Sequence, residues 1–215
     1  MPLVEYVNSV ESGNFNKEIP SMHIRSVGEI IKNPNTYAVT EEDMGTLPLQ
    51  DRMVFPLFKN HNRLEPLEDY PRVLWGRGCP YACTFCESKS MWTRKVRYRS
   101  PENIVAEVKQ MQKFGVKKVN FDDDTFGISK KNIKAINDLM HDELPNMTYT
   151  CETVVQLAKD ENVVKDMKRG GCTATFVGIE SGNNEILKKI KKTQTTKECI
   201  QAMRNLRKHG IESHA

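Results

Sequence analysis

After residue 70 the chain alternates between short apolar runs and longer stretches whose apolar residues recur every three or four positions. "RVLWGRG" reads as a short strand ending in glycines, and "VKKVNF", "MTYTCET" and "TATFVGIE" read as three more. Between them, "SPENIVAEVKQMQKFG" spaces Ile104, Val105, Val108 and Met111 along one helical face. Ser100 serves as N-cap, Pro101 as first helical residue and Gly115 as stop. "SKKNIKAINDLMHDE" predicts a helix capped by Ser129 and stopped by Pro145. "DENVVKDMKRGG" predicts one capped by Asp160 and ended by Gly170 and Gly171. "NNEILKKI" and "TTKECIQAMRNLRKHG" are two further helical pieces, and "IESHA" begins another strand. Strands separated by helices of this length imply right-handed crossovers and a parallel α/β sheet.

Residues 1–70 differ. Pro20, Pro34, Pro48, Pro56 and Pro66 interrupt short apolar runs, which predicts an irregular arm or linker with one short helix, "PLVEYVNSVESG", stopping at Gly13. The domain boundary is therefore placed at 70/71. An edge strand starting at "IESHA" with nothing beside it predicts that the chain is a piece of a longer protein.

The 215 residues carry a formal net charge of +4, 28% charged residues and 38% hydrophobic ones. A core of ordinary size is available, and the charge does not demand nucleic acid as a partner. No apolar run would span a bilayer, and "MPLVEYVNSVESGNF" lacks the pattern of a secretory leader. The expected location is the cytoplasm, where the six cysteines stay thiols or become metal ligands.

Three of those cysteines, Cys79, Cys83 and Cys86, fall within "RGCPYACTFCES", directly after the first strand. Three thiolates can converge on one metal centre. Zinc normally takes a fourth protein ligand, for which Cys151, Cys172 or a histidine would have to serve. An iron–sulfur cube held by three cysteines instead leaves one iron open to a substrate or cofactor. Both alternatives stand on spacing alone.

The C-x3-C-x2-C pattern with Phe85 before its last cysteine resembles the signature of the radical S-adenosylmethionine (radical SAM) superfamily. "RYRSPENIVAEV", "VNFDDDTF" and "FVGIESGNNEILKKIKK" extend the likeness to the branch whose members often carry an upstream cobalamin-binding domain. "YVNSVESGNFNKEIP", "IIKNP" and "LPLQDR" are similar to the exit of that domain and its link to the barrel. The resemblance implies a partial (β/α) TIM-like barrel, about four βα units plus the start of a fifth strand, over residues 71–215. It implies a [4Fe–4S] cluster on Cys79, Cys83 and Cys86, whose open iron is chelated by the amine and carboxylate of SAM. Reductive cleavage of SAM to a 5′-deoxyadenosyl radical, or cobalamin-dependent methyl transfer, would be the chemistry. The partners implied are a small-molecule substrate and an electron donor such as flavodoxin or ferredoxin. Cobalamin would enter only through a domain outside this chain, which has no D-x-H-x-x-G loop. Relatives commonly place an arginine after the third strand, where this chain has Val154.

Further site residues come from the strand ends. Asp122, Asp123 and Asp124 repel one another unless a cation lies near. The resemblance gives Asp123 or Asp124 the SAM amino group; the plain alternative is a solvated acidic loop. Glu180 could accept two hydroxyl hydrogen bonds from a ribose diol, and Ser181 stands beside it. Their alternative is the start of a helix. Phe85 is expected against the cluster and the adenine, and Trp75 and Tyr81 in packing. Arg94, Lys95, Arg97 and Arg99 read as a solvated basic face, as do the lysines of "KKIKK" (188–192). That basic face supports a competing reading, a zinc- or cluster-bearing module that binds RNA or modifies tRNA. Cys151, Cys172 and Cys199 read as buried small hydrophobes.

Overall fold

The computed structural model describes residues 2–34, 40–51, 71–92 and 94–215. The chain divides into two compact units, Met1–Thr40 and Glu41–Ala215. The composition change at residue 70, together with Pro56 and Pro66, lies outside the described residues.

In the first unit, helix α1 (Pro2–Glu11) ends near Gly13 at φ 69°, as its sequence predicts. The segment beyond that helix is not irregular. Strands β1 (His23–Ser26) and β2 (Glu29–Lys32) form an antiparallel hairpin about a tight Val27–Gly28 turn, both residues at positive φ. The glycine carries the turn signal, but four-residue strands with one buried side chain, Ile24, leave almost no alternation to read.

The second unit opens with α2 (Glu41–Thr46), which brings buried Met44 into the barrel unit, so part of the expected arm belongs to the barrel. The elements after residue 70 are β3 (Arg72–Val73), β4 (Gly76–Arg77), α3 (Ser88–Trp92), β5 (Arg97–Tyr98), α4 (Pro101–Lys113), β6 (Lys118–Phe121), α5 (Lys130–Glu143), β7 (Thr148–Thr153), α6 (Val155–Ala158), α7 (Glu161–Arg169), β8 (Cys172–Val177), α8 (Asn184–Lys189), α9 (Thr196–Lys208) and β9 (Glu212–His214). Five strands make one parallel sheet in the order β3-β6-β7-β8-β9. Each strand adds beside the previous one and the order never reverses. That is barrel winding, and it separates this sheet from a doubly wound one.

The predicted caps form. Ser100 accepts the Asn103 N–H at 3.2 Å, Ser129 that of Asn132 at 3.1 Å, and Asp160 that of Asn162 at 2.9 Å. α9 adds a capping box between Thr195 and Glu198. One face of the sheet (Val119, Phe121, Tyr149, Cys151, Val177) packs on the helices. There Phe121, Phe126, Tyr149 and Trp75 form a chain of ring contacts about 5 Å apart. The other face carries Asn120, Thr150, Glu152 and Phe176, the alternate positions of the same strands. Thr150 donates to Asn120 there at 2.7 Å.

Candidate active site

The stretch "RVLWGRG" is two strands, not one. β3 joins the parallel sheet, and β4 turns away to pair antiparallel with β5. The cysteine loop is thus the long loop of a β4–β5 hairpin, at the C-terminal end of the first barrel strand. Its glycines are steric necessities. Gly78 sits at φ 97°, and a Cβ there would lie 2.5 Å from the Lys95 carbonyl oxygen. At Gly76 a Cβ would lie 2.7 Å from the Tyr98 ring.

The basic stretch after the loop is not the solvated face its composition suggests. Arg97 and Arg99 are buried. Arg97 donates to the carbonyls of Trp92 and Lys95, at 3.0 and 3.2 Å, closing the hairpin loop on itself. Arg99 donates to the Leu74 carbonyl at 3.1 Å, to Asn103 at 2.7 Å and to Glu107 at 2.5 Å. Desolvated guanidinium groups require this satisfaction. Only Arg94 and Lys95 of the four remain exposed, so the basic surface behind the RNA reading is halved.

Cys79 and Cys83 are half-buried and Cys86 is exposed; all three are unpaired thiols. They share one loop, and Cys79 and Cys86 both act electrostatically on Cys83. Burial pushes the Cys83 thiol up, and Lys192 opposes that shift. Among the described residues no three His, Cys, Asp or Glu side chains are already gathered as ligands. The donor set still fits an iron–sulfur cluster: three soft, unpaired donors on one loop at the mouth of the sheet. The cysteines that might have completed a zinc site are elsewhere. Cys151 is buried with its Sγ 3.6 Å from Thr175, Cys172 is buried with its Sγ 3.6 Å from the Ala174 carbonyl, and Cys199 is buried on α9.

The acidic run comes directly after β6. Asp122 forms an ion pair with Arg72 at 3.1 Å. Asp123 is 4% exposed, and its Oδ1 accepts the Trp75 N–H at 2.7 Å, while Oδ2 has no partner. Burial, opposed by the backbone N–H groups of Gly76 and Trp75, pushes its carboxyl up to about 7. Of the two candidates for the SAM amino group, Asp123 is thus buried against the Trp75 backbone. Asp124 stays exposed while accepting the Gly78 N–H at 3.0 Å.

Glu180 lies just beyond β8 at φ 68°, a strained setting for a non-glycine residue. It is exposed and pairs with Lys192 at 3.1 Å. Ser181 accepts the Asn183 N–H at 3.1 Å, and Asn183, not Ser181, caps α8. Phe85 is 56% exposed at the tip of the cysteine loop. Trp75 is buried, as its packing role requires, and donates its indole N–H to the Arg99 carbonyl at 2.9 Å.

Three residues that sequence reasoning passed over join the site. Lys192, read as part of a solvated lysine run, has a side chain only 10% exposed and sits between Glu180 and Cys83. Its neighbour Ile190 accepts the Thr84 N–H at 3.1 Å, tying the cysteine loop to the segment after α8. Gln194 is buried and donates to the Gly178 carbonyl at 3.0 Å. Glu152, on the open sheet face, has its carboxyl raised by burial and then by Asp122 and Asp124. A narrow cleft joins Tyr81, Cys83, Val154, Gln156 and Lys192. No signal in the local sequence distinguishes Lys192 from its neighbouring lysines.

A sequentially wound parallel barrel with a three-cysteine loop after its first strand defines the radical SAM architecture. The family model of the Radical SAM superfamily matches residues 73–215, and the chain belongs to that superfamily of enzymes. An uncharacterized methyltransferase of Pyrococcus horikoshii is 28% identical over 210 residues, covering 97% of this chain and 44% of that protein. The hopanoid C-2 methylase of Rhodopseudomonas palustris is 28% identical over 149 residues, 65% of this chain and 28% of that one. The chain spans less than half the length of these relatives. Among solved structures, the radical S-adenosylmethionine methyltransferase TsrM of Kitasatospora setae superposes with a TM-score of 0.81 at 17% identity, over 98% of this chain and 42% of that one. The cobalamin-dependent S-adenosylmethionine radical enzyme OxsB gives 0.79 at 18% identity, over 99% and 31%. Both likenesses cover the first unit as well as the barrel. No helix among the described residues is long and apolar enough to cross a membrane.

Proposed function

We propose that this chain is the cluster- and SAM-binding part of a cobalamin-associated radical SAM methyltransferase. The observation that carries the reading is the cysteine loop: three unpaired thiols on one loop at the C-terminal end of the parallel sheet, with every other cysteine buried away from it. Cys79, Cys83 and Cys86 would hold a [4Fe–4S] cluster which, when bound, supplies one electron to the sulfonium of SAM.

The chain's own residues would bind and orient SAM. Glu180 projects from a strained strand end; with one carboxylate oxygen paired to Lys192, the other would accept from a ribose hydroxyl, with Ser181 beside it. Asp124 keeps an exposed carboxylate oxygen for the ammonium group while its other oxygen holds Gly78. Phe85, exposed on the loop tip, would cover the adenine. The partners of this reading are a one-electron donor such as flavodoxin or ferredoxin and a small-molecule methyl acceptor. Cobalamin would come from a domain outside this chain. The names of the relatives, methyltransferases and methylases, support methyl transfer as the reaction class.

Anaerobic reconstitution with iron and sulfide, followed by electron paramagnetic resonance with and without SAM, tests the reading. Close to four irons per chain and a spectrum altered by SAM are expected. Zinc in place of iron, or a spectrum indifferent to SAM, would refute it.

A further inference from the structure

Four consecutive residues after β6 grip successive points of the chain leading into the cysteine loop. Asp122 holds Arg72, Asp123 holds the Trp75 N–H, Asp124 holds the Gly78 N–H, and Thr125 lies with its Oγ1 3.8 Å from the Cys79 Sγ. The two runs are laid alongside each other, so the register of β3 on β6 continues as side-chain contacts after the strands end. Thr125 is buried, and its hydroxyl now donates to the Asp124 carbonyl at 2.6 Å. A thiol at Cys79 can donate to Thr125. A thiolate bound to a metal has no proton to give, and the Thr125 hydroxyl becomes the donor of that contact by rotation about its Cβ–Oγ bond.

We propose that Asp123 and Thr125 are positioning residues for the cluster loop and not contacts to SAM, and that Thr125 hydrogen-bonds the Cys79 sulfur once the cluster is bound. The inference rests on the radical SAM reading of the chain. Its physical content is that a hydrogen bond to a cluster sulfur stabilises the more negative, reduced state and raises the reduction potential. Asp123 fixes the Trp75 backbone where the chain enters β4, the strand that leads into the cysteine loop, so weakening it loosens the loop without touching a cluster ligand.

The test uses the full-length protein, reconstituted anaerobically, in four forms: wild type, Thr125→Val, Thr125→Ser and Asp123→Asn. Iron per chain, the redox midpoint of the cluster, its paramagnetic resonance spectrum and the SAM dissociation constant per loaded chain are measured. Thr125→Val is expected to take up wild-type iron, to shift the midpoint to lower potential with altered g-values, and to bind SAM within about twofold of wild type; Thr125→Ser should restore midpoint and spectrum. Asp123→Asn should lose iron to a chelator several-fold faster at unchanged SAM affinity. An unchanged midpoint and spectrum in Thr125→Val overturns the role of Thr125. Normal iron retention in Asp123→Asn with SAM binding weakened tenfold or more overturns that of Asp123 and returns it to the ligand. Should Asp123→Asn fail to fold, the valine–serine pair still decides. Wild-type protein that takes up no iron refutes the radical SAM reading itself, and this inference with it.

Discussion

The buried Asp123 predicts a pH dependence of stability that one substitution should remove. Its carboxyl rises from 3.8 to about 7, mainly through burial. Between those values the native state holds a proton that the unfolded chain has released. Stability therefore falls as pH rises across that window, and the loss is complete once pH exceeds the folded value. At 1.36 kcal/mol per pH unit, the cost is about 1.6 kcal/mol at pH 5 and about 4 kcal/mol at pH 8. Asp123→Asn keeps an oxygen for the Trp75 N–H and cannot ionise. Its amide places a donor where Oδ2 now lacks any partner, which costs about 1–3 kcal/mol at every pH. Urea unfolding of metal-free, reduced wild type and variant across pH 5 to 8 measures the difference. Wild type should lose about 3 kcal/mol relative to the variant over that range, starting about level with it and ending as the less stable protein. A gap that stays constant with pH would refute the argument, because it would mean that Asp123 titrates alike in the folded and unfolded chain.

Other predictions concern the frame around the loop. Glu107→Ala leaves the buried Arg99 guanidinium without its carboxylate and should destabilise by about 3–5 kcal/mol in denaturant titrations. Gly78→Ala imposes left-handed strain of about 1–2 kcal/mol and a clash with the Lys95 carbonyl, so the loop must move and iron uptake in reconstitution should fall sharply. Ser129→Ala removes the N-cap of α5; about 1 kcal/mol of stability should be lost by thermal melting with iron content unchanged.

The barrel was readable from sequence because its helices announce themselves. Ser100, Ser129 and Asp160 cap where their types predict, and the apolar spacing of α4, α5 and α7 faces the sheet. The cysteine triplet was equally plain, since its chemistry lies in adjacent residues. What local pattern could not carry was contact between distant segments. β4 and β5 are two residues each and exist because Gly76 and Tyr98 meet across a loop. Arg97 and Arg99 look like surface until Trp92, Leu74 and Glu107 fold onto them. The six-residue β7 was plain, yet α6 behind it is one short turn with no side-chain cap, and nothing marks it.

The acidic run shows what composition leaves out at the site itself. Three adjacent carboxylates suggested a missing cation. In a strand-to-loop turn, however, adjacent residues point in different directions, so the three need not share a partner. Asp122 meets a guanidinium, while Asp123 and Asp124 meet separate backbone N–H groups of the opposing segment. Mutual repulsion is thereby divided among three acceptor sites, and its residue is seen in Asp123, whose raised carboxyl still feels both neighbours. The demand for an external cation falls mainly on Asp124, the one that remains exposed at the loop. A cation there would be attracted to a carboxylate already fixed by Gly78, one residue from Cys79. The acidic run and the segment leading into the cysteine loop are thus tied together, with each carboxylate holding a different point of that segment.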